Sequence, residues 1–509
     1  MRRWRAAVCG LAAVTCGAGL GEAVAVLTGA ASPIGAIGDA VIDATPPWAK
    51  ELAISLFGTA DKAVLVVSVC LVMLAIAAGA GIWDARRPPA GRIVVATAAL
   101  VGVAVVLTRP DAAPLDAVPA VLAGVVSVCL LGPLIQRAAP VDAALSSGAT
   151  DAAGVSRRSF VAWTAGAGAL GVLAGLGALA VRLGGSAAQA VRSAIRLPAP
   201  AVTAPPVPPG AALAVEGLGP LITPNADFYR IDTALLVPEV DPSTWSLRIH
   251  GLVDHEVALS WQELLALPLE ESTTTLMCVS NPVGGELIGN AVWLGYPIRH
   301  LLALARPQPG ADMVLSTSAD GFTASTPLEV LTDDRNAILA VGMNGEPLPP
   351  EHGFPVRMVV PGLYGYVSAT KWVVDLEVTR FADAKAYWTR NGWSERGPVK
   401  LSSRIDVPRA GAALAAGDRV IAGVAWKQHT GVGGVEVQVD GGPWTPAVLA
   451  TAISADTWVQ WSLPWRAERG SHTIRCRATG ADGEQQTGEV RPVVPDGATG
   501  WDEISVQVG

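Results

Sequence analysis

Thr273-Thr274-Thr275-Leu276-Met277-Cys278-Val279-Ser280-Asn281-Pro282-Val283-Gly284-Gly285 changes character at its midpoint. Three β-branched residues followed by Leu276 and Met277 favour a strand. The Asn-Pro and Gly-Gly pairs that follow break any regular element. Cys278 therefore ends a strand and opens irregular backbone, where a second group can come close. A buried structural cysteine is the plain reading; a metal ligand or nucleophile is the chemical one. Of the six cysteines, Cys9, Cys16, Cys70 and Cys129 lie in long apolar runs. Cys476 alternates in phase with Ile474 and Ala478, with Arg475 and Arg477 on the other face, as a core strand residue does. A Cys278–Cys476 disulfide is disfavoured, because Cys476 faces inward in another domain. No Cys-x-x-Cys, His-Glu-x-x-His or Gly-x-Ser-x-Gly supports zinc or serine chemistry.

A second stretch lies downstream: His352-Gly353-Phe354-Pro355-Val356-Arg357-Met358-Val359-Val360-Pro361-Gly362-Leu363-Tyr364-Gly365-Tyr366-Val367-Ser368-Ala369-Thr370-Lys371-Trp372. Arg357 falls on an apolar, strand-like segment, where an unpaired charge is costly. Something anionic should meet it. The Gly-rich turn offers backbone N–H groups and Lys371 a second cation, a set that can hold a phosphate. An ordinary surface salt bridge is the alternative. Around both stretches, residues 213–385 mix strands and helices: Trp245–Ile249 reads as strand, Trp261–Ala266 and Ile298–Ala305 as helices. Residues 403–509 read as short strands, among them Val420–Trp426, Val435–Val439, Trp458–Leu463 and Thr473–Ala478, with Asp440-Gly441 and Asp482-Gly483 as hairpin turns. That pattern predicts an immunoglobulin-like β-sandwich.

These motifs together resemble the sulfite oxidase family of molybdopterin enzymes. The resemblance rests on Cys278 in its strand-to-loop context, His-Gly-Phe-Pro-x-Arg, the Pro-Gly turn and Lys-Trp. Upstream, Thr223-Pro224-Asn225-Ala226-Asp227-Phe228-Tyr229-Arg230 is similar to that family's cofactor-contacting segment. The match spans roughly 213–385, and the sandwich resembles the family's C-terminal dimerisation domain, so a homodimer is implied. The resemblance implies Mo-molybdopterin, with Cys278 as the protein thiolate on the metal. Asn225, Phe228, Tyr229, Ser318, His352, Arg357, Ser368 and Lys371 would hold the pterin and its phosphate. Cys278 and Arg230 would face the reaction, with Tyr364 or, as the alternative, Tyr366 near the metal. The chain departs from the animal and plant pattern in one place. Val279, Ser280, Asn281 and Pro282 follow the cysteine, with no arginine before Arg299. Sulfite is therefore not the required substrate, and sulfoxide reduction stands as a rival.

The remaining sequence is of another kind. Hydrophobic residues make up 51% of the 509 and charged residues 16%, against ~25% charged in an average soluble domain. The excess lies in residues 1–185, in five runs at about 6–30, 63–83, 93–108, 117–136 and 159–181. A spanning helix needs ~20 apolar residues, so a five-helix transmembrane region is predicted. With the N-terminus inside, the inside segments carry Arg2, Arg3, Arg5, Arg86, Arg87, Arg92, Arg137, Arg157 and Arg158. The outside loops carry Lys50, Lys62 and Arg109, and the asymmetry fits the positive-inside rule. Everything after residue 185 is then outside the cytoplasm, in the cell membrane's extracytoplasmic space. Ser156-Arg157-Arg158-Ser159-Phe160 before the last span resembles a twin-arginine translocation signal; two positive-inside arginines are the alternative.

The predicted organisation is a transmembrane region (1–185), a Pro-rich linker (186–212), an α+β oxidoreductase domain (213–385), a connector (386–402) and the sandwich (403–509). A net charge of −8 argues against nucleic-acid binding. Six cysteines in 509 residues rule out a disulfide-stapled scaffold. All six histidines, His250, His255, His300, His352, His429 and His472, lie beyond the apolar runs. The helices are expected to hold no bis-histidine haem, and a separate haem protein or quinone to carry the electrons. The expected function is two-electron oxygen-atom transfer on a small molecule by a membrane-anchored enzyme. A cofactor-free extracellular interaction protein on the same fold is the alternative.

Overall fold

The computed structural model describes residues 2–46, 49, 56, 61–109, 112–147, 150–183 and 187–509. They form two compact units: Met1–Ala187 with Thr233–Val237, and Ala188–Asp232 with Pro238–Gly509. Lys50, counted above among the outside charges, lies outside the described residues.

Among the described residues of the first unit, five helices are long and apolar enough to cross a membrane: Arg3–Thr28, Lys62–Arg86, Ala90–Leu107, Pro114–Ala138 and Arg157–Arg182. They coincide with the five apolar runs. Small residues on Arg3–Thr28 let neighbours approach closely: a Cβ at Gly10 or Gly19 would run into the carbonyl of Ala77 or Gly171. The helix continues past Glu22, whose side chain turns inward. It meets Arg182 Nη1 at 2.9 Å and accepts hydrogen bonds from Ser32 Oγ and the Ile34 amide. A short helix, Pro33–Ala44, is an addition to the sequence reading. Ser32 accepts a hydrogen bond from the Gly35 amide and Pro33 opens the first turn. Thr233–Val237 belongs to this unit, and hydrogen bonds hold its backbone there. The Leu235 amide donates to Asp39 Oδ1 at 3.1 Å, and Lys62 Nζ donates to the Ala234 carbonyl at 2.6 Å.

In the second unit, ten strands precede residue 380: β1 (Ser246–Gly251), β2 (Val257–Ser260), β3 (Glu270–Met277), β4 (Ile288–Pro297), β5 (Met313–Ser318), β6 (Thr323–Pro327), β7 (Ile338–Met343), β8 (Glu346–Pro347), β9 (Arg357–Val359) and β10 (Val373–Thr379). One sheet runs β2-β1-β10-β5-β6, with β1 and β10 parallel. The other runs β3-β4-β7-β8, with β9 on β7, and is antiparallel throughout. Helices Trp261–Ala266 and Ile298–Ala305 form where apolar spacing predicts them. Ser260 and Glu263 close a reciprocal capping box on the first.

β3 is buried on both faces from Ser272 onward, because the C-terminal part covers it. Gln428 Nε2 donates to the Thr275 carbonyl at 2.6 Å, and the Trp458 amide donates to Thr275 Oγ1 at 2.9 Å. The Pro-rich segment also lies along this strand: Ala201 N donates to Leu269 O and Glu271 N to Val202 O. Proline fixes an extended backbone, and the intervening amide and carbonyl groups then pair with β3. Beyond residue 400 two sheets share one core. Ser402–Val407, Gly417–Trp426 and Val459–Ala467 belong to one, and Val432–Val439, Gly470–Gly480 and Asp502–Val508 to the other. Ile405, Ile421, Val435, Trp461, Ile474, Cys476 and Ile504 fill the space between them. Asp440 (φ 52°) and Gly441 (φ 70°) make the tight turn after Val439.

Candidate active site

Cys278 follows directly on β3 and is 8% exposed. Its amide donates to Leu287 O at 2.9 Å, and its carbonyl accepts from Asn281 N at 3.1 Å, so the irregular loop folds back on it. Burial pushes the thiol up; the Ser280 amide and hydroxyl, then Lys371, act the other way. Asn281 accepts from Leu287 N at 2.8 Å, while its Nδ2 is buried without a hydrogen-bond partner.

Phe228 and Tyr229 stack with ring centroids 5.2 Å apart, and Phe228 meets His352 edge-on at 5.5 Å and Trp293 at 5.7 Å. Gly289 on β4 leaves room for this ring. Tyr229 lies within electrostatic reach of both Cys278 and Arg357, with burial the larger influence on its hydroxyl. His352 is 2% exposed and its Nε2 sits 3.1 Å from the Asn225 carbonyl. Burial first, then Arg357 and Lys371, hold the ring down to about 3. It is neutral at pH 7, with Nε2–H donating to that carbonyl.

Arg357, on β9, is 4% exposed. Its guanidinium donates to His352 O at 3.1 Å and Met358 O at 3.3 Å and lies over Trp293, 5.0 Å from the ring centroid. Among the described residues no carboxylate pairs with it, and burial brings it down to about 10. Gly353 (φ 108°) lies between the two cation stems: a Cβ there would sit 3.0 Å from Arg357 Cβ and 3.1 Å from Lys371 Cβ. Lys371 Nζ donates to Glu351 O at 2.9 Å and to Asp232 Oδ2 at 2.8 Å. Burial outweighs Asp232 and brings Lys371 down to about 8. Arg230 reaches the same carboxylate, Nε to Oδ2 at 2.9 Å.

The structure therefore gathers Arg230, Phe228, Tyr229, Cys278, His352, Arg357 and Lys371. Tyr364 is 1% exposed, within electrostatic reach of Cys278, and pushed up to about 12, mainly by burial. Its hydroxyl accepts from Lys400 N at 3.4 Å, whereas Tyr366 donates its own to Ser394 O at 2.8 Å. The other expected residues have their side chains engaged in shaping loops. Asn225 Nδ2 donates to Glu346 Oε1 and Met343 O, and its Oδ1 accepts from Asn344. Ser368 Oγ donates to Tyr364 O at 2.9 Å. Ser318 Oγ accepts from the Asp320 amide at 3.4 Å, next to Ala319, whose amide donates to Trp372 O. Asp232 is the residue that motif reading missed. Its nearness to Arg230 was visible, but its second partner is 139 positions away.

Residues 234–388 match the family described as "Oxidoreductase molybdopterin binding domain". "Uncharacterized oxidoreductase YuiH" of Bacillus subtilis (strain 168) is 36% identical over 165 residues, 32% of this chain and 80% of the relative. "Sulfite oxidase" of Gallus gallus is 30% identical over 321 residues, 53% of this chain and 69% of the relative. This chain belongs to the sulfite oxidase family. As a molybdopterin oxidoreductase of that family it takes Mo-molybdopterin as cofactor. That sets aside the cofactor-free interaction protein. The solved sulfane dehydrogenase SoxCD from Paracoccus pantotrophus aligns with 55% of this chain and 78% of its own, at 25% identity and a TM-score of 0.48. The residues present fit such a cofactor. Among the described residues, a buried guanidinium without a carboxylate suits an anionic group, and a buried strand-end thiol is a soft donor that suits a metal.

Proposed function

We propose that the protein is a membrane-anchored molybdopterin oxidoreductase whose active site is exported and whose metal is ligated by Cys278. The observation that carries this reading is Arg357: a buried cation with no carboxylate among the described residues, in a cluster that reaches Cys278 through Tyr229. An isolated buried charge is unstable, and a cofactor phosphate completes it. Arg357 and Lys371 hold that phosphate; His352, neutral, and the Phe228–Tyr229 stack border the pterin. Asn225, Ser318 and Ser368 contribute through the loops they shape and through their backbone groups. When bound, the cofactor supplies two-electron oxygen-atom transfer. Tyr364, held protonated by burial, orients a small-molecule substrate beside Cys278, and Arg230 flanks it.

Five apolar spans and the arginine asymmetry support an N-in topology with the active site outside the cytoplasm. The two-sheet C-terminal part is read as an immunoglobulin-like domain of the dimerisation type, and the domain limits given above are kept except that residues 233–237 go with the helical unit. A separate haem protein or quinone exchanges the electrons. Elemental and pterin analysis of the full-length protein and Cys278→Ser tests the reading. Wild type should carry one molybdenum per chain, and the variant should keep pterin, gripped by Arg357 and Lys371, yet lose turnover. A metal-free, pterin-free wild type from a molybdenum-replete host would refute it. Replacing Arg157 and Arg158 by Lys separates the two export routes: blocked export supports twin-arginine transport, and normal export supports the positive-inside alternative.

A further inference from the structure

The stretch that sequence reads as a linker is built into the oxidoreductase domain, and it reaches the loops that carry Asn225 and His352. From Ala188 onward the chain belongs to the second unit. Helix Ala187–Ala194 brings Arg192 against the end of β8. Arg192 Nη2 donates to Pro347 O at 2.8 Å, and Nε lies 3.0 Å from Pro347 O and 2.9 Å from Leu348 O. Nη2 also meets Glu346 Oε2 at 3.1 Å, and the Arg192 side chain is 11% exposed, so the fork works largely out of water. Farther along, Ile195 packs on the cluster of Phe228, Trp293, Leu348 and Phe354. Leu197 sits over Gly342 of β7, where a Cβ would lie 2.6 Å from its Cδ1. Ala201 and Val202 then pair with β3.

Arg192 thereby joins two loops. Glu346 Oε1 accepts from Asn225 Nδ2 at 2.5 Å, and the Asn225 carbonyl accepts from His352 Nε2 at 3.1 Å. Pro347 and Leu348 open the loop that ends at His352, and Pro349 and Pro350 stiffen the backbone between. The far end of that loop is held by Lys371 Nζ on Glu351 O at 2.9 Å and by Trp372 Nε1 on Pro350 O at 3.0 Å. Where Arg192 holds Pro347 and Leu348 therefore fixes where His352 meets Asn225. A planar fork reaches two carbonyls and a carboxylate together, which a lysine ammonium does as a single point.

We propose that Arg192 is a positioning residue of the cofactor site, clasping the Asn225 and His352 loops together, and that residues 188–202 form a strap that retains the pterin. The inference rests on the molybdopterin reading above. Arg192 acts through Asn225 and His352 and takes no part in the reaction itself. Without its fork the two sheets and their cores still form, but the loops separate more readily and the pterin leaves faster.

The test uses full-length protein purified with its cofactor, with molybdenum and pterin measured on each sample. Pterin release into urea below the unfolding transition is followed by fluorescence of the oxidised pterin. Melting of the same variants made in a host lacking molybdopterin is measured alongside. Arg192→Met should release pterin about tenfold faster than wild type, and Arg192→Lys should fall between the two. A double-mutant cycle with Asn225→Ala separates positioning from stability. In the Asn225→Ala background, Arg192→Met should speed release by less than about threefold, because the partner it acts through is gone. Additive effects on release overturn the proposal, as does a variant whose cofactor-free melting falls while its pterin release matches wild type. Should Arg192→Met fail to accumulate, Arg192→Lys and Glu346→Gln decide: each should release pterin about two- to fivefold faster, and wild-type rates in both overturn the clasp. A wild type without molybdenum and pterin refutes the molybdopterin reading itself, whereas a loaded wild type whose pterin retention is unaffected by Arg192→Met refutes this inference alone.

Discussion

Replacing Arg357 by Met should act in opposite directions on the protein without and with its cofactor. The guanidinium is 4% exposed and its partners in the protein are two carbonyls and the face of Trp293. Burial lowers it from 12.5 to about 10, a desolvation cost of about 3 kcal/mol at ~1.36 kcal/mol per pKa unit. It stays charged at neutral pH, so the cost is present throughout the physiological range. Loss of the carbonyl bonds and ring contact gives back about 1–2 kcal/mol. Arg357→Met made in a host lacking molybdopterin should therefore be more stable than wild type by about 1–2 kcal/mol, in line with other buried charges replaced by apolar side chains. In a cofactor-replete host the same change removes charge-assisted bonds to the phosphate. About 2–3 kcal/mol is lost, or roughly 30- to 150-fold in pterin affinity. Thermal unfolding of both preparations, with fluorescence of the oxidised pterin released from each, measures the two effects. A lower melting temperature for the cofactor-less variant, or full pterin content after dialysis, would refute the reasoning.

Three further outcomes are expected. His352 is lowered from 6.5 to about 3, so the unfolded chain takes up a proton that the folded one refuses. Stability is complete above about pH 6.5 and falls as pH drops toward 3, by up to about 5 kcal/mol. His352→Gln should flatten that acid limb in denaturant titrations, and an unchanged slope would contradict the assignment. At Gly289 a Cβ would lie 2.7 Å from the Phe228 ring, so Gly289→Ala should cost about 1–3 kcal/mol and release pterin; normal melting and pterin content would count against the packing role. A reporter fused at Gly509 should read as exported and one near residue 145 as cytoplasmic, and the reverse pattern would invert the topology.

Local features of this chain were legible and distant pairings were not. Helix Trp261–Ala266 was readable because Ser260, Glu263 and the apolar spacing all lie within one turn. The inward face of Cys476 was readable because period-two alternation needs only its neighbours. The five long apolar helices were readable because runs of that length and composition stand out against an ordinary core helix. Asp232 was hidden, since its meaning depends on Lys371, far along the chain. Asn225 and Ser368 resemble ligands by position, yet whether their side chains point to a cofactor or to a loop carbonyl depends on backbone that the motif does not encode. The short helix Pro33–Ala44 carries Asp39 and Asp43, which break the apolar signal that marked the longer helices. Thr-Ala-Leu-Leu-Val at 233–237 reads as part of the exported domain, and nothing local says that Asp39 and Lys62 will take its backbone groups.

That five-residue segment bears on modularity. The chain leaves the helical unit after Ala187, returns to it at Thr233 and leaves again after Val237. A single cut in the Pro-rich stretch would therefore leave a piece of the helical unit on the released fragment, one peptide bond beyond Asp232. Grafting this oxidoreductase onto a different helical unit requires the new unit either to supply a matching seat for residues 233–237 or to come with that loop rewritten. The two units are inherited most easily together, and a gene fusion joined at one seam would carry a mismatch at the other.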